Sequence, residues 1–237
     1  MSNELLLIIN IIILYSGVLI WYKLFGSSGL FCWTVFATIA ANIEVLILVD
    51  AFGIEQTLGN IMFASTFIVT DILSETESKQ KAQKAVNIGI LTSISFIVVS
   101  QLWLQYTPSV NDWAFPSIQM IFSNTPRLML VSLIVYVIAQ NFDVWAYHKI
   151  WELTNKNCGN KNKYLWLRNN GSTMLSQLLN TVLFSLGAFW GMYPIDTLIS
   201  IILSSYVIFL ITSLADTPIL YAARKISYNM KEKNEIK

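Results

Sequence analysis

Residues 132–150 read SLIVYVIAQNFDVWAYHKI, an apolar run broken by Gln140 and Asp143. Three residues of separation put both side chains on one face of a helix. A carboxylate or amide turned toward lipid tails costs several kcal/mol, so such groups face inward and line a path or a pocket. The same pattern occurs twice more. Asp71 and Glu75 share a face in FIVTDILSE (67–75), and Gln177 and Asn180 share one in MLSQLLNTVLFSLGAFWG (174–191). Together these strings imply a bundle of membrane-spanning helices with a polar interior.

Composition agrees. The chain has 237 residues, 55% of them hydrophobic and only 12% charged, with a mean hydropathy of +0.57. Soluble domains carry about 25% charged residues. No Pro/Gly/Ser-rich linker divides the chain, so one transmembrane domain over 1–237 is expected. Cys32 and Cys158 do not form a disulfide framework, and with the lone His148 they make no metal cluster. No cofactor is implied, and there is no P-loop string for ATP hydrolysis.

A helix needs about 20 apolar residues to cross the bilayer. Seven segments qualify, at about 4–22, 30–50, 57–75, 86–106, 126–148, 171–192 and 196–222. The first, ELLLIINIIILYSGVLIWY, lacks the basic start and small-residue cleavage site of a signal peptide and counts as a span. Trp21, Tyr22, Trp103, Tyr106, Trp145, Tyr147 and Tyr193 stand near span ends, where interfacial anchors belong. Of the 15 basic residues, all but Arg127 fall in the first, third and fifth loops or the C-terminal tail. The positive-inside rule then places those loops and the C-terminus in the cytoplasm and the N-terminus outside. The connection 107–125, TPSVNDWAFPSIQMIFSNT, mixes aromatics with turn residues and reads as an interfacial or re-entrant segment.

That orientation gives each polar group a depth. Asp71 and Glu75 close the third span on its cytoplasmic side. Gln140 lies just past the middle of the fifth span, with Asp143 one turn nearer the cytoplasm. Thr173, Gln177 and Asn180 climb one stripe of the sixth, and Asn42 sits near the centre of the second. Bland readings stand beside these. Glu75 could open the exposed loop SETESKQKAQK (74–84), the amides could be interhelical glue, and Asp216-Thr217-Pro218 could only mark a kink. Asp143 resists such a reading, because a buried carboxylate must pair, protonate or bind. Glu44, two residues after Asn42, has no evident partner.

The strings FIVTDILSE (67–75), IFSNTPRLMLVSLIVYVIAQNFDVWAYHKI (121–150) and YLWLRNNGSTMLSQLLNTVLFSLGAF (164–189), with Ala41-Asn42 upstream, resemble the queuosine precursor transporters, also called the vitamin uptake transporter family. The likeness covers roughly 36–225. It implies uptake of the 7-deazaguanines 7-cyano-7-deazaguanine and 7-aminomethyl-7-deazaguanine, salvaged for queuosine in tRNA, by a protein of the inner or plasma membrane. Carried over residue by residue, it reaches Asn42, Thr70, Asp71, Glu75, Pro126, Arg127, Gln140, Asp143, Arg168, Asn169, Ser172, Thr173 and Gln177. Asn170 and Asn180 join the candidate binding set by position. Two departures stand out: Glu77-Ser78 replaces the family's aromatic-Gly pair, and Asn180 replaces its usual Asp.

A guanine-like edge offers an N–H and an amine beside a carbonyl. A carboxylate can accept from both donors while an amide or Arg serves the oxygen and aromatic faces stack on the ring. Asp143 with Gln140 and Gln177 with Asn180 supply those groups, with Phe142, Trp145 and Trp190 near in sequence. The expected partners are therefore a small solute and the lipid bilayer, without nucleic acid, and a homo-oligomer is left open. Two rival functions are a substrate-binding subunit of an ATP-driven vitamin importer and an intramembrane aspartyl enzyme using Asp71 and Asp143. The second lacks the Tyr-Asp and Gly-x-Gly-Asp strings that chemistry requires.

Overall fold

The computed structural model describes residues 2–123, 126–158 and 164–235. Lys161 and Lys163 of the fifth loop lie outside them, and the side chains of Pro126 and Arg127 are not described. The elements run α1 (Asn3–Glu44), β1 (Leu48–Ala51), β2 (Ile54–Thr57), α2 (Gly59–Thr76), α3 (Lys79–Trp103), α4 (Phe115–Ser123), α5 (Pro126–Cys158), α6 (Leu165–Phe189) and α7 (Ile195–Glu235).

α1 is two helical arms joined at Gly26, whose φ of 60° and ψ of −142° suit a residue without a side chain. In a straight helix Gly17 and Trp33 would stand about 24 Å apart. Here a Cβ on Gly17 would lie 2.5 Å from the Trp33 ring, so the chain has doubled back. Trp21 and Trp33 meet edge-to-face at 6.3 Å beside the turn. Gly29 completes the close approach, since a Cβ there would strike the Trp21 backbone carbonyl.

The second arm ends at Glu44, short of the expected 50, because residues 48–57 form a β-hairpin. Leu48 pairs with Thr57 and Ala51 with Ile54 around a two-residue turn. Phe52 and Gly53 both have positive φ, 54° and 73°, as a tight hairpin turn requires. Asn3 Nδ2 donates to the Asp50 carbonyl at 2.9 Å, and Phe52 N–H donates to Glu4 Oε1 at 3.2 Å. These bonds fasten the hairpin to the start of α1.

Among the described residues, four helices are long and apolar enough to cross a membrane by themselves, over Asn3–Glu44, Lys79–Trp103, Leu128–Asn155 and Ile195–Glu232. Large apolar side chains such as Ile12, Leu91, Val98, Ile134, Leu203 and Ile211 stand exposed on them. Such a belt suits lipid rather than water. α2 is the reverse case. It packs against α1, α3, α5 and α7, and 15 of its 18 residues are buried. It is enclosed by other helices, and so is free to carry Thr66, Thr70, Asp71 and Glu75. α6 packs between α5 and α7 and is likewise polar on its inner side. The protein is a helical membrane protein.

Helix ends also shift from the expected spans. α5 continues to Cys158 and α7 to Glu235, while α6 begins at Leu165. The connection 107–125 contains α4, whose start is held by Asp112 Oδ1 accepting from Ala114 N–H at 2.9 Å and Phe115 N–H at 2.7 Å. Phe122 of α4 packs on Phe96 and Trp103 of α3. Of the expected interfacial aromatics, Tyr22 and Tyr147 are fully buried, because each hydroxyl has found an internal acceptor: Thr76 Oγ1 at 2.9 Å and Glu75 Oε2 at 2.8 Å.

The arm-to-arm contact at Gly29 gives a direct test. Replacing Gly29 with Leu should sharply reduce detergent-stable protein, because the obstruction is backbone and cannot rotate away. Gly29→Ala should cost about 1–3 kcal/mol from overpacking, read as a lowered midpoint of thermal unfolding in detergent.

Candidate functional site

The sequence pattern puts Thr66, Thr70, Asp71 and Glu75 on α2, Gln140, Asp143 and Tyr147 on α5, and Arg168 through Asn180 on α6. In the fold these three stripes face one another. Gln140 Nε2 donates to Thr66 Oγ1 at 2.6 Å, and Thr70 Oγ1 donates to Gln140 Oε1 at 3.5 Å. Thr173 Oγ1 donates to Asp71 Oδ2 at 3.2 Å, tying α6 to α2. Ser176 Oγ donates to Asp143 Oδ1 at 2.8 Å, tying α6 to α5. Asn180 Nδ2 donates to Gln177 Oε1 at 3.3 Å.

One turn nearer the α2–α3 connection lies a buried ion pair. Arg168 is fully buried, and its Nε and Nη2 reach Glu75 Oε2 at 3.0 and 2.7 Å. Tyr147 donates its hydroxyl to the same oxygen, and the guanidinium sits over the Trp151 ring, 4.3 Å from ring centroid to Cζ. Arg224 of α7 approaches Glu75 Oε1 at 3.8 Å. Glu75 therefore belongs to the interior, and the exposed-loop reading falls. Removing one member of such a pair strands a buried charge, at a cost of about 3–5 kcal/mol.

The hydrogen bonds leave a specific remainder. Asp71 Oδ1, Asp143 Oδ2, Gln177 Nε2 and both amide atoms of Asn169 are buried without a partner. Buried polar groups are almost always satisfied, so each such exception calls for an explanation. These five atoms lie on the three facing stripes, and they are three acceptors and two donors. A flat solute with both kinds of edge would satisfy them.

Asn42 and Asn170 lie apart, whereas Ser172 stays at the site. Asn42 donates to the Thr38 carbonyl at 2.7 Å within α1 and shares a void of about 10 Å³ with Thr66 and Tyr136. Asn170 turns to α7, donating to Thr217 Oγ1 at 2.7 Å and accepting from Ser213 at 3.3 Å. Ser172 donates to the Asn169 carbonyl at 3.2 Å and lies beside Asp143. Trp145 and Trp190 are 53% and 61% exposed, so neither ring stacks in the core. The aromatic faces at the site belong to Tyr147 and Trp151 instead. Both continue the Gln140–Asp143 stripe at intervals of four, and that continuation was the available signal for them.

Cavities flank the polar core at both ends. On the hairpin side a cavity of about 240 Å³ is bounded by Leu48, Gln56, Asn60, Phe184, Tyr193 and Ser205. It adjoins a smaller one of about 50 Å³, lined by Asn60, Phe63 and Asn180. Asn180 thus faces that side. On the opposite side a cavity of about 420 Å³ is bounded by Ser74, Glu77, Lys79, His148 and Trp151. Between the two stand the orphaned polar atoms and the Arg168–Glu75 layer.

A family model described as "Putative vitamin uptake transporter" matches residues 57–223. The chain is also similar to the "Probable queuosine precursor transporter" of Bacillus subtilis (strain 168), with 38% identity over 229 residues, covering 97% of this chain and 98% of the relative. No solved structure matches. The matched region takes in all three polar stripes, and the chain belongs to the vitamin uptake transporter family: it is a membrane transport protein, not an enzyme.

Proposed function

We propose that this protein imports queuosine precursors, the 7-deazaguanines, across the cell membrane for tRNA queuosine salvage. The name of the Bacillus subtilis relative supports that substrate class. The observation that carries it at the site is the set of orphaned atoms on α2, α5 and α6. Asp143 Oδ2 and Asp71 Oδ1 accept from the ring N–H and exocyclic amine of the base. Gln177 Nε2 and the Asn169 amide serve its carbonyl. Tyr147 closes the site from below, over the Arg168–Glu75 pair, and Trp151 covers the Arg168 guanidinium.

The proposed topology is seven spans, with the two arms of α1 as the first two and α2, α3, α5, α6 and α7 as the rest. The basic residues other than Arg127 and the buried Arg168 then lie on the cytoplasmic side together with the C-terminus, and the N-terminus and β-hairpin lie outside. The approximately 240 Å³ cavity becomes the outer vestibule and the 420 Å³ cavity the inner one. Reporter fusions after Lys163 and after Lys237 should both signal cytoplasm, and an external signal from either overturns this orientation.

Cells unable to make the precursor should regain queuosine-modified tRNA from nanomolar 7-cyano-7-deazaguanine when this chain is expressed without an added ATPase. Failure with normal membrane expression removes the substrate assignment. A requirement for an ATPase partner instead favours the substrate-binding-subunit reading.

Asp143→Asn should weaken apparent affinity about ten- to over a hundredfold, as expected for losing a charge-assisted hydrogen bond of about 1.5–3 kcal/mol. Gln177→Leu should be similarly damaging, and Phe142→Leu, on a neighbouring face, milder. Uptake per detergent-stable molecule is the measurement. If all three variants instead lower protein level alone, the polar groups are structural.

A further inference from the structure

Asp216, in the middle of α7, belongs to none of the contacts described above. It is 1% exposed, and neither carboxylate oxygen has a hydrogen-bond partner in the structure. An unpaired carboxylate in so dry a place demands compensation, because burying its charge alone is strongly unfavourable. Its surroundings are oxygen-rich. The Tyr15 hydroxyl of α1 lies beside it while reaching toward the Thr212 carbonyl at 3.5 Å. Ser213 and Thr217, both of α7, are occupied with Asn170 and pass the carboxylate by.

The ionisable groups facing Asp216 are all acidic. They are Tyr15 from α1, Asp71 from α2 and Asp143 from α5, and α6 contributes the neutral Asn170. Arg168, the buried base of this region, is engaged with Glu75. Any two of these carboxylates repel each other when both are ionised, and among the described residues no basic side chain is seen to pair with Asp216.

We infer that Asp216, with Tyr15, binds the monovalent cation that drives transport, a proton or a sodium ion. The inference rests on the transport function proposed above. A cation at Asp216 cancels the repulsion it exerts on Asp71 and Asp143, which are the acceptors assigned to the precursor. Cation and precursor therefore strengthen each other's binding, and the coupling is reciprocal by linkage. Each alone leaves the core unbalanced.

Reconstituted protein supplies the test, with neutral 7-cyano-7-deazaguanine as the probe. Liposomes carry an inward proton gradient, an inward sodium gradient or neither, and counterflow exchange is measured without any gradient. Wild type should concentrate the probe under one of the two gradients, and which one identifies the cation. Asp216→Asn should lose at least tenfold of that accumulation. Asp216→Glu should retain it, and Tyr15→Phe should shift the cation concentration that gives half-maximal uptake. If wild type exchanges the probe in counterflow yet ignores both gradients, the cation site is wrong while the transport function stands. Gradient-driven accumulation by well-folded Asp216→Asn overturns it too. If wild type shows no counterflow, the transport reading fails and takes this site with it.

Discussion

The bundle is organised by the need to match every polar group that lies out of reach of water. Lipid offers no hydrogen bonds, so a carboxylate or amide on one helix must find its partner on another. The Arg168–Glu75 pair meets that need most completely, through ionic contacts, a tyrosine hydroxyl and an indole face. It fixes α6 against α2. With that contact set, the Thr173–Asp71 and Ser176–Asp143 bonds fall one and two turns along the same seam.

The seam has two regimes. In the Arg168–Glu75 pair itself the charged groups are matched on every side. Further along, bonds are made with only one atom of each side chain: Asp71 and Asp143 each use one oxygen, and Gln177 uses its carbonyl. In the proposed transport reading those open valences are available to a solute, and the Arg168–Glu75 pair supplies the floor.

Much of this was readable from the chain alone, and the failures have physical causes. The stripes 71–75, 140–143 and 177–180 were legible because helical periodicity places their members together whatever the tertiary structure. The hairpin at 48–57 was not, since Ile47, Leu48 and Val49 raise hydropathy equally as strand or helix. Tyr22 and Tyr147 were misassigned because an aromatic near a span end looks the same whether it faces headgroups or a buried acceptor. The partnership of Glu75 with Arg168 joins residues 93 apart, and periodicity carries no information across that distance. Resemblance to a family marked both residues without saying that they touch.

The enclosure of α2 bears on how the protein is made. A segment carrying Asp71 and Glu75 with little lipid-facing surface is a poor substrate for stepwise release into the bilayer, since unmatched acids within a span oppose insertion. The α1 arms precede it during synthesis and cover one side. Its ionic partner Arg168 emerges more than 90 residues later. During synthesis α2 must therefore wait, lodged against α1 or the insertion machinery, until α6 arrives. The order of elements along the chain is itself part of what makes the polar interior attainable.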